Sequence, residues 1–585
     1  MAKVLKNFTL LFLLIIPGCE SKPDFKEDNT LVNMFDVSSL SQNNQTVLQE
    51  LKSLTTLDTT DLKINSALIE LYKKNNFQSI LFRNFNDTVK FKKIIREISN
   101  SYRHGINPEI FSLSEAIEAF NLASDTNLTN DSRYYHLARS EILSMRNLLL
   151  FSQLVLNGLI DSRSIYPDDY NMPYKKSDIK LLTNLILENG IDSLLSKVDN
   201  LPDDYRNLQK QMEKFFLIKN VKWQKLPNLK KKIQPSDKIE YLDEIVRRLH
   251  ILGFIDTSKT KILDYTIYDS VLIEPIKKFQ KSHGLRDDGV IGKNTIEKLN
   301  ISPAEYYELI KINLEKLRWY NFPDTGKYLI VNIPDFHLHA FENSKLKFRI
   351  KICVGIKKEW QTPILHSKIN EIVLNPEWNV PQSIIKEEIV RNMKKDSMYL
   401  EKKKFRAYHG SAELLPKEIT IENLKRQKIK LVQAAGNANA LGRLKFIFKN
   451  PFDIYLHDTP EKSKFNLSMR DISHGCIRVE KPYQLAEFLL ENNSPWKIEY
   501  VKYETDEKVN DKNIINEYLT LRKKLKKNKS KTTHIKLTNQ IPLFVIYQTA
   551  FVDDNGNINI REDIYGRDQV LKDRFNLVEQ KLILK

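Results

Sequence analysis

Apolar residues recur at helical spacing through the first third of the chain. In 135-YHLARSEILSMRNLLLFSQLVLNGLI-160 they follow the i, i+3, i+4 pattern of a helix that buries one face. Only Gly105, Gly158 and Gly190 interrupt residues 43 to 235, so the pattern predicts a helical domain over 43–237. The texture changes over 238–300. There 241-YLDEIVRRLHILGFI-255 reads as a helix closed by a glycine, and 271-VLIEPIKKFQKSHGLRDDGVIGKNTIEKLN-300 as a second helix, a turn at Asp288-Gly289 and a third helix from about Lys293. Gly289 suits a positive φ, and Asn294 or Thr295 is expected to cap the third helix.

From Lys327 the alternation shortens to that of strands. The runs 327-KYLIVNIPDFHLHAF-341, 346-LKFRIKICVG-355, 368-KINEIVLNPEW-378, 443-RLKFIF-448 and 453-DIYLHD-458 are rich in β-branched and aromatic residues. His337 and His339 alternate with Phe336 and Leu338 as a solvated strand face would. A basic, helical-looking insertion over 384–430 interrupts the strands. Near the end, 543-LFVIYQTAFVDDNGNINIRED-563 predicts two strands around an Asn555-Gly556 turn. The whole is a multidomain α+β chain, as 585 residues require.

Composition adds little about fold and more about place. Hydrophobic residues at 41% and charged residues at 28% exclude wholesale disorder. A net charge of +18 favours an anionic partner, yet no nucleic-acid-binding module accompanies it, and the run 521-LRKKLKKNKSK-531 reads as a solvated face. Lys3 and Lys6 precede an apolar stretch from Phe8 to Ile16, shorter than the roughly 20 residues that span a membrane. It ends in Ile16-Pro17-Gly18-Cys19, which resembles a bacterial lipobox. The reading is a lipoprotein signal peptide over 1–18, lipidation at Cys19 and a flexible tether over 19–42, holding a periplasmic protein to a membrane of the cell envelope. The remaining two of the three cysteines, Cys353 and Cys476, are too few for a disulfide framework and are expected as thiols. Cys353, inside a strand-like run, is expected in the core.

One segment carries chemistry, 455-YLHDTPEKSKFNLSMRDISHGCIRVE-480. His457 ends a strand, fifteen residues follow, and then comes Ser473-His474-Gly475-Cys476. A free thiol is little ionised at neutral pH, so a nucleophilic cysteine needs a base or cation beside it. His457 serves if the loop returns Cys476 to it, and N–H groups around Gly475 and Cys476 then suit a tetrahedral oxyanion. His457, His474 and Cys476 also suit zinc, although no fourth ligand is evident.

This segment resembles the L,D-transpeptidase signature, a histidine followed after about fifteen residues by Ser/Thr-His-Gly-Cys. The segments 311-KINLEKLRWY-320, 361-QTPILHS-367, 375-NPEWNVPQSI-384, 439-NALGRLKF-446 and 562-EDIYGRD-568 resemble its large, scaffold-bearing subfamily, and 238–300 resembles a peptidoglycan-binding domain. The resemblance implies a helical scaffold, a three-helix peptidoglycan-binding module and a mostly-β catalytic domain over 311–572, with 384–430 as a cap over the donor site. It implies Cys476 as nucleophile and His457 as base, oriented by the Asp458 carbonyl, with His474 and Gly475 in the catalytic group. Ser473, Tyr455, Trp378, Asn379, Asn439 and Arg478 are implied to bind the stem peptide. The implied reaction is cross-linking of peptidoglycan from a tetrapeptide donor and an amine acceptor, with no metal and no organic cofactor. An L,D-carboxypeptidase or a protein-anchoring enzyme shares these residues, and a non-catalytic peptidoglycan-binding scaffold is a further alternative.

Overall fold

The computed structural model describes residues 36–53, 63–83, 87–166, 170–172, 178–260, 262, 264–356, 360–415, 418–425, 429–524 and 532–583. Cys19, the signal segment and the tether up to residue 35 lie outside them. The chain divides into two compact units.

The first unit holds the described residues up to Leu159, those within 176–202 and those from Leu577 on. It is helical, as the periodicity predicts. Its longest helix, Asn130–Asn157, starts where the Thr129 hydroxyl accepts from the Ser132 N–H at 3.3 Å and ends at Gly158 with φ +89°. Glu141 of this helix is wholly buried and meets four donors: the Tyr72 hydroxyl at 2.7 Å, the N–H groups of Ile80 at 2.7 Å and Leu81 at 3.3 Å, and the Ser79 hydroxyl. Burial pushes its carboxyl upward while those bonds pull it down. The expected tether runs too far, because a helix spans Val37–Ser53. Asp36 accepts from the Ser38 N–H at 3.1 Å, and Leu40 is 2% exposed. A polar stretch with a cap and one buried leucine is enough to start a helix.

The second unit takes in residues 160–175 and 203–576. It includes the helix Asp203–Ile218, which the sequence reading assigned to the scaffold. Phe215 stacks on Tyr306 at 4.8 Å, and Arg318 donates to the Tyr205 hydroxyl at 2.8 Å. Periodicity reveals an apolar face but not the core that it joins. The three-helix module follows as Leu242–Leu252, Ile273–Ser282 and Lys293–Leu299. Gly289 has φ +75°, and its N–H donates at 2.9 Å to Gln280, whose amide donates to the Val290 carbonyl at 2.8 Å. The third helix is not capped by Asn294 or Thr295. Gly292 holds the cap position, and Thr295 is buried, accepting from Gln280 at 3.3 Å.

The strands are β1 Lys327–Asn332, β2 His337–Glu342, β3 Lys345–Gly355, β4 Leu365–Leu374, β5 Trp378–Asn379, β6 Phe405–His409, β7 Ala412–Glu413, β8 Lys430–Gln433, β9 Leu444–Phe448, β10 Leu456–His457, β11 Asp471–Ser473, β12 Ile477–Val479, β13 Thr533–Ile546, β14 Ala550–Val552 and β15 Ile558–Ile560. Nine form one sheet in the order β11-β3-β12-β10-β9-β4-β13-β1-β2, and β3 also pairs with β2, so the sheet closes on itself. The run 327–341 is a hairpin rather than one strand. Pro334 lacks a donor, and Phe336 turns with φ +53°, its N–H reaching the Ile333 carbonyl at 3.1 Å. His337 and His339 are not a solvated face. Their side chains are 27% and 16% exposed and lie 3.1 and 3.6 Å from Asp335, which also accepts from Arg561 at 2.7 Å.

The insertion is helical to Lys402 and again over Ile421–Lys425. Strands β6, β7 and β8 join β5 in a sheet of order β5-β8-β6-β7, over a core that includes Ile385, Ala407, Leu424 and Leu431. Trp378 packs against that core. The segment 543–563 ends the long β13 before forming the β14–β15 hairpin, whose turn is closed by the Gly556 N–H on the Asp553 carbonyl at 2.9 Å.

Candidate active site

The register of three short strands builds the site. Leu456 of β10 pairs with Ile477 of β12 and Phe446 of β9, and all three are fully buried. Their neighbours therefore point to the opposite face. There His457 pairs with Arg478 on one side and Lys445 on the other. Tyr455 and Cys476 continue the same face, joined where the Ile477 N–H donates to the Tyr455 carbonyl at 3.0 Å.

His457 is 5% exposed, and its Nδ1 lies 2.5 Å from the Asp458 carbonyl. A carbonyl only accepts, so Nδ1 carries the proton and Nε2 is left as an acceptor. Burial drives the imidazole down to about 3, helped by the charges of Arg478, Lys445 and Lys462 and opposed by the bond to the carbonyl. The ring is thus neutral at neutral pH. Asp458 is fixed in turn, accepting from the Arg443 N–H at 2.8 Å and from Lys462 at 2.5 Å. Gly442 must be glycine here, since a Cβ would sit 2.3 Å from the Asp458 carboxylate.

Cys476 is half-buried, with Sγ 3.9 Å from the Asp453 carbonyl. Burial pushes its thiol up, while hydrogen bonds with Tyr455 and the charges of Lys445 and Arg478 pull it back. Tyr455 sits edge-on to His457 at 5.7 Å, its hydroxyl is pushed up by burial and then by Cys476, and it also bonds the Trp378 side chain. Cys353, 0% exposed, lies in the core with its thiol pushed up to about 11 by burial.

The turn that presents Cys476 is held at two carbonyls. Ser473 Oγ donates to the Cys476 carbonyl at 2.6 Å, and Thr362 Oγ1 to that of Gly475 at 2.8 Å. Thr362 also accepts from the Gly355 N–H at 2.9 Å, and the Tyr565 hydroxyl donates to the Gly355 carbonyl at 2.6 Å. A Cβ at Gly355 would fall 1.7 Å from the Trp360 carbonyl, so only glycine lets the two segments approach.

Several expected binding residues are occupied. Asn439 is 1% exposed and its amide donates to the carbonyls of Pro376, Gln433 and Ala434, which makes it a brace with no group left for a stem peptide. Ser473 is 3% exposed and serves the turn. Arg478 pairs with Glu461 at 2.7 Å. The resemblance implied His474 in the catalytic group, but Gly475, with φ +98°, turns the chain between it and Cys476. The His474 ring instead meets Trp360 at 5.5 Å and lies 3.8 Å from Glu388 of the insertion. Trp378 is half-buried beside the site and Asn379 is exposed on β5. Among the described residues, no three His, Cys, Asp or Glu side chains converge as a metal-holding group.

Comparison with known proteins assigns these parts. Residues 326–502 match the L,D-transpeptidase catalytic domain, 66–212 the scaffold domain and 241–299 the family described as "Putative peptidoglycan binding domain". A curated Haemophilus influenzae protein named "Putative L,D-transpeptidase" is 32% identical over 271 residues, which are 46% of this chain and 49% of that protein. The chain thus spans about half the length of the curated relative it matches. Solved L,D-transpeptidases from Xylanimonas cellulosilytica (15% identity, 47% of this chain and 96% of that one, TM-score 0.15) and Stackebrandtia nassauensis (16%, 43% and 86%, TM-score 0.18) are also similar, at scores too low to add to the argument. By its three domain matches, the chain joins a segment matching the L,D-transpeptidase catalytic domain to segments matching a scaffold domain and a peptidoglycan-binding domain.

Proposed function

We propose that this chain cross-links peptidoglycan through a thioester on Cys476, formed from a tetrapeptide donor stem. The observation that carries the reading is the shared sheet face on which a neutral, oriented His457, Tyr455 and the Cys476 thiol stand together. The thiol proton passes to His457 Nε2 as sulfur attacks the carbonyl of the third, L-configured donor-site residue. Tyr455 and the N–H groups near Gly475 and Cys476 stabilise the oxyanion. Collapse expels the terminal D-alanine, whose amine takes the proton from the imidazolium. An amine of a second stem then attacks the thioester, gives its proton to His457 and releases the thiol. The insertion packs against Trp378 and sets Glu388 3.8 Å from His474, which makes it the border of the donor site in this reading.

Mass spectrometry after incubation with purified disaccharide-tetrapeptide tests this. The expected products are a dimer linked between the third residues and free D-alanine. Tripeptide alone would make the protein a hydrolase, transfer only to protein lysines an anchoring enzyme, and unchanged substrate ends the proposal. We further propose that Cys19 is lipidated and tethers the protein to a membrane of the cell envelope, on the strength of the apolar segment before it. A labelled fatty acid is expected to mark the wild type and not Cys19→Ala, and an unlabelled wild type refutes the anchor.

A further inference from the structure

Lys445 stands at the centre of the candidate site, although the motif spacing gave no reason to single it out. It is the β9 partner of His457, and its Nζ lies 3.7 Å from the centre of the Tyr455 ring. Among the described residues no ion pair joins it. An ionised Cys476 acts on it most, ahead of the carboxylates Asp453 and Glu371, and Glu371 is bonded to His534 at 2.9 Å. Arg478, the other cation on this face, is already paired with Glu461. A half-buried ammonium over an aromatic ring has lost water, and while Cys476 is a neutral thiol no anion pairs with it.

We propose that Lys445 is the anchor for a free carboxylate of the donor stem. The inference rests on the reading of Cys476 as the nucleophile for such a stem. An enzyme that removes the last residue of a peptide must distinguish a chain end from a mid-chain bond, and the chain end is marked by a carboxylate. An ammonium over the Tyr455 ring, on the sheet face that carries Cys476, is placed to read that mark, and an arriving carboxylate offsets its desolvation. The carboxylate has two sources in a tetrapeptide stem, the terminal D-alanine and the side chain of a diaminopimelate at the third position.

The test compares kcat/KM for three synthetic donors: the free acid, its terminal carboxamide, and a donor whose third residue is lysine. Wild type is expected to lose about tenfold to a hundredfold on removal of whichever carboxylate Lys445 holds, the usual range for a charge-assisted hydrogen bond. In Lys445→Met that preference should collapse, with the loss mostly in KM, and Lys445→Arg should restore it. Circular dichroism confirms that each variant is folded. A Lys445→Met enzyme that slows on all three donors equally and keeps the wild-type preference overturns the anchor. Failure of wild type to be acylated by any donor overturns the reading of Cys476, and the anchor with it.

Discussion

Cys476→Ala is expected to lose both the covalent adduct with a carbapenem and all cross-linking, whereas Cys353→Ala keeps both. The two thiols differ in access and in neighbours. Cys353 is fully buried, and burial pushes its thiol up to about 11 against the pull of Arg478 and Arg470. Cys476 is also raised by burial, but Tyr455 bonds it, Lys445 and Arg478 favour its thiolate, and it is open enough for a strained amide to reach. The cavity left by Cys353→Ala costs on the order of 1 kcal/mol, which a folded domain tolerates. Intact-mass measurement after carbapenem treatment, followed by peptide mapping, locates the adduct. An adduct on Cys353, or an active Cys476→Ala protein, refutes the mechanism.

Cys476 and His457 were legible as a candidate pair because their residue types stand in a short motif at fixed spacing. The Asp458 carbonyl was legible too, being next in sequence to His457 and forced to face its ring. The rest of the site depends on register between distant segments. Lys445 reaches it because β9 pairs with β10, and Thr362 and Tyr565 because two loops meet at Gly355. These residues lie in segments that resemble the family, yet nothing local distinguishes a threonine that braces a turn from one on a surface. The errors have the same origin. Asn439 looked like a ligand-binding amide, but in the fold its donors close a backbone turn. The helix Asp203–Ile218 was legible as a helix, and its packing on Tyr306 and Arg318 was not, because amphipathicity does not name its partner.

His457→Gln is expected to slow acylation of Cys476 by about a hundredfold or more, the scale for losing a positioned general base. Glutamine keeps a donor for the Asp458 carbonyl and much of the buried volume, so the loss reports on proton transfer rather than on packing. The pH dependence sharpens the test. Burial holds the imidazole down to about 3, so the base is already unprotonated at pH 5 and acylation should show no acid limb between pH 5 and 7. A midpoint near 6.5, the value of a solvated histidine, would mean that the ring is exposed to water and not the base described here. Acid also acts on the fold, and the sign can be worked out. Below pH 6.5 the unfolded chain binds a proton that folded His457 refuses, so stability falls as pH drops from about 6.5 towards 3. Rates at pH 5 therefore count only where circular dichroism shows the protein folded. With that control, stopped-flow acylation across pH 5 to 8 should give a flat acid side for the wild type, and for His457→Gln a profile that lies about a hundredfold or more lower at neutral pH and climbs with pH as the thiol ionises.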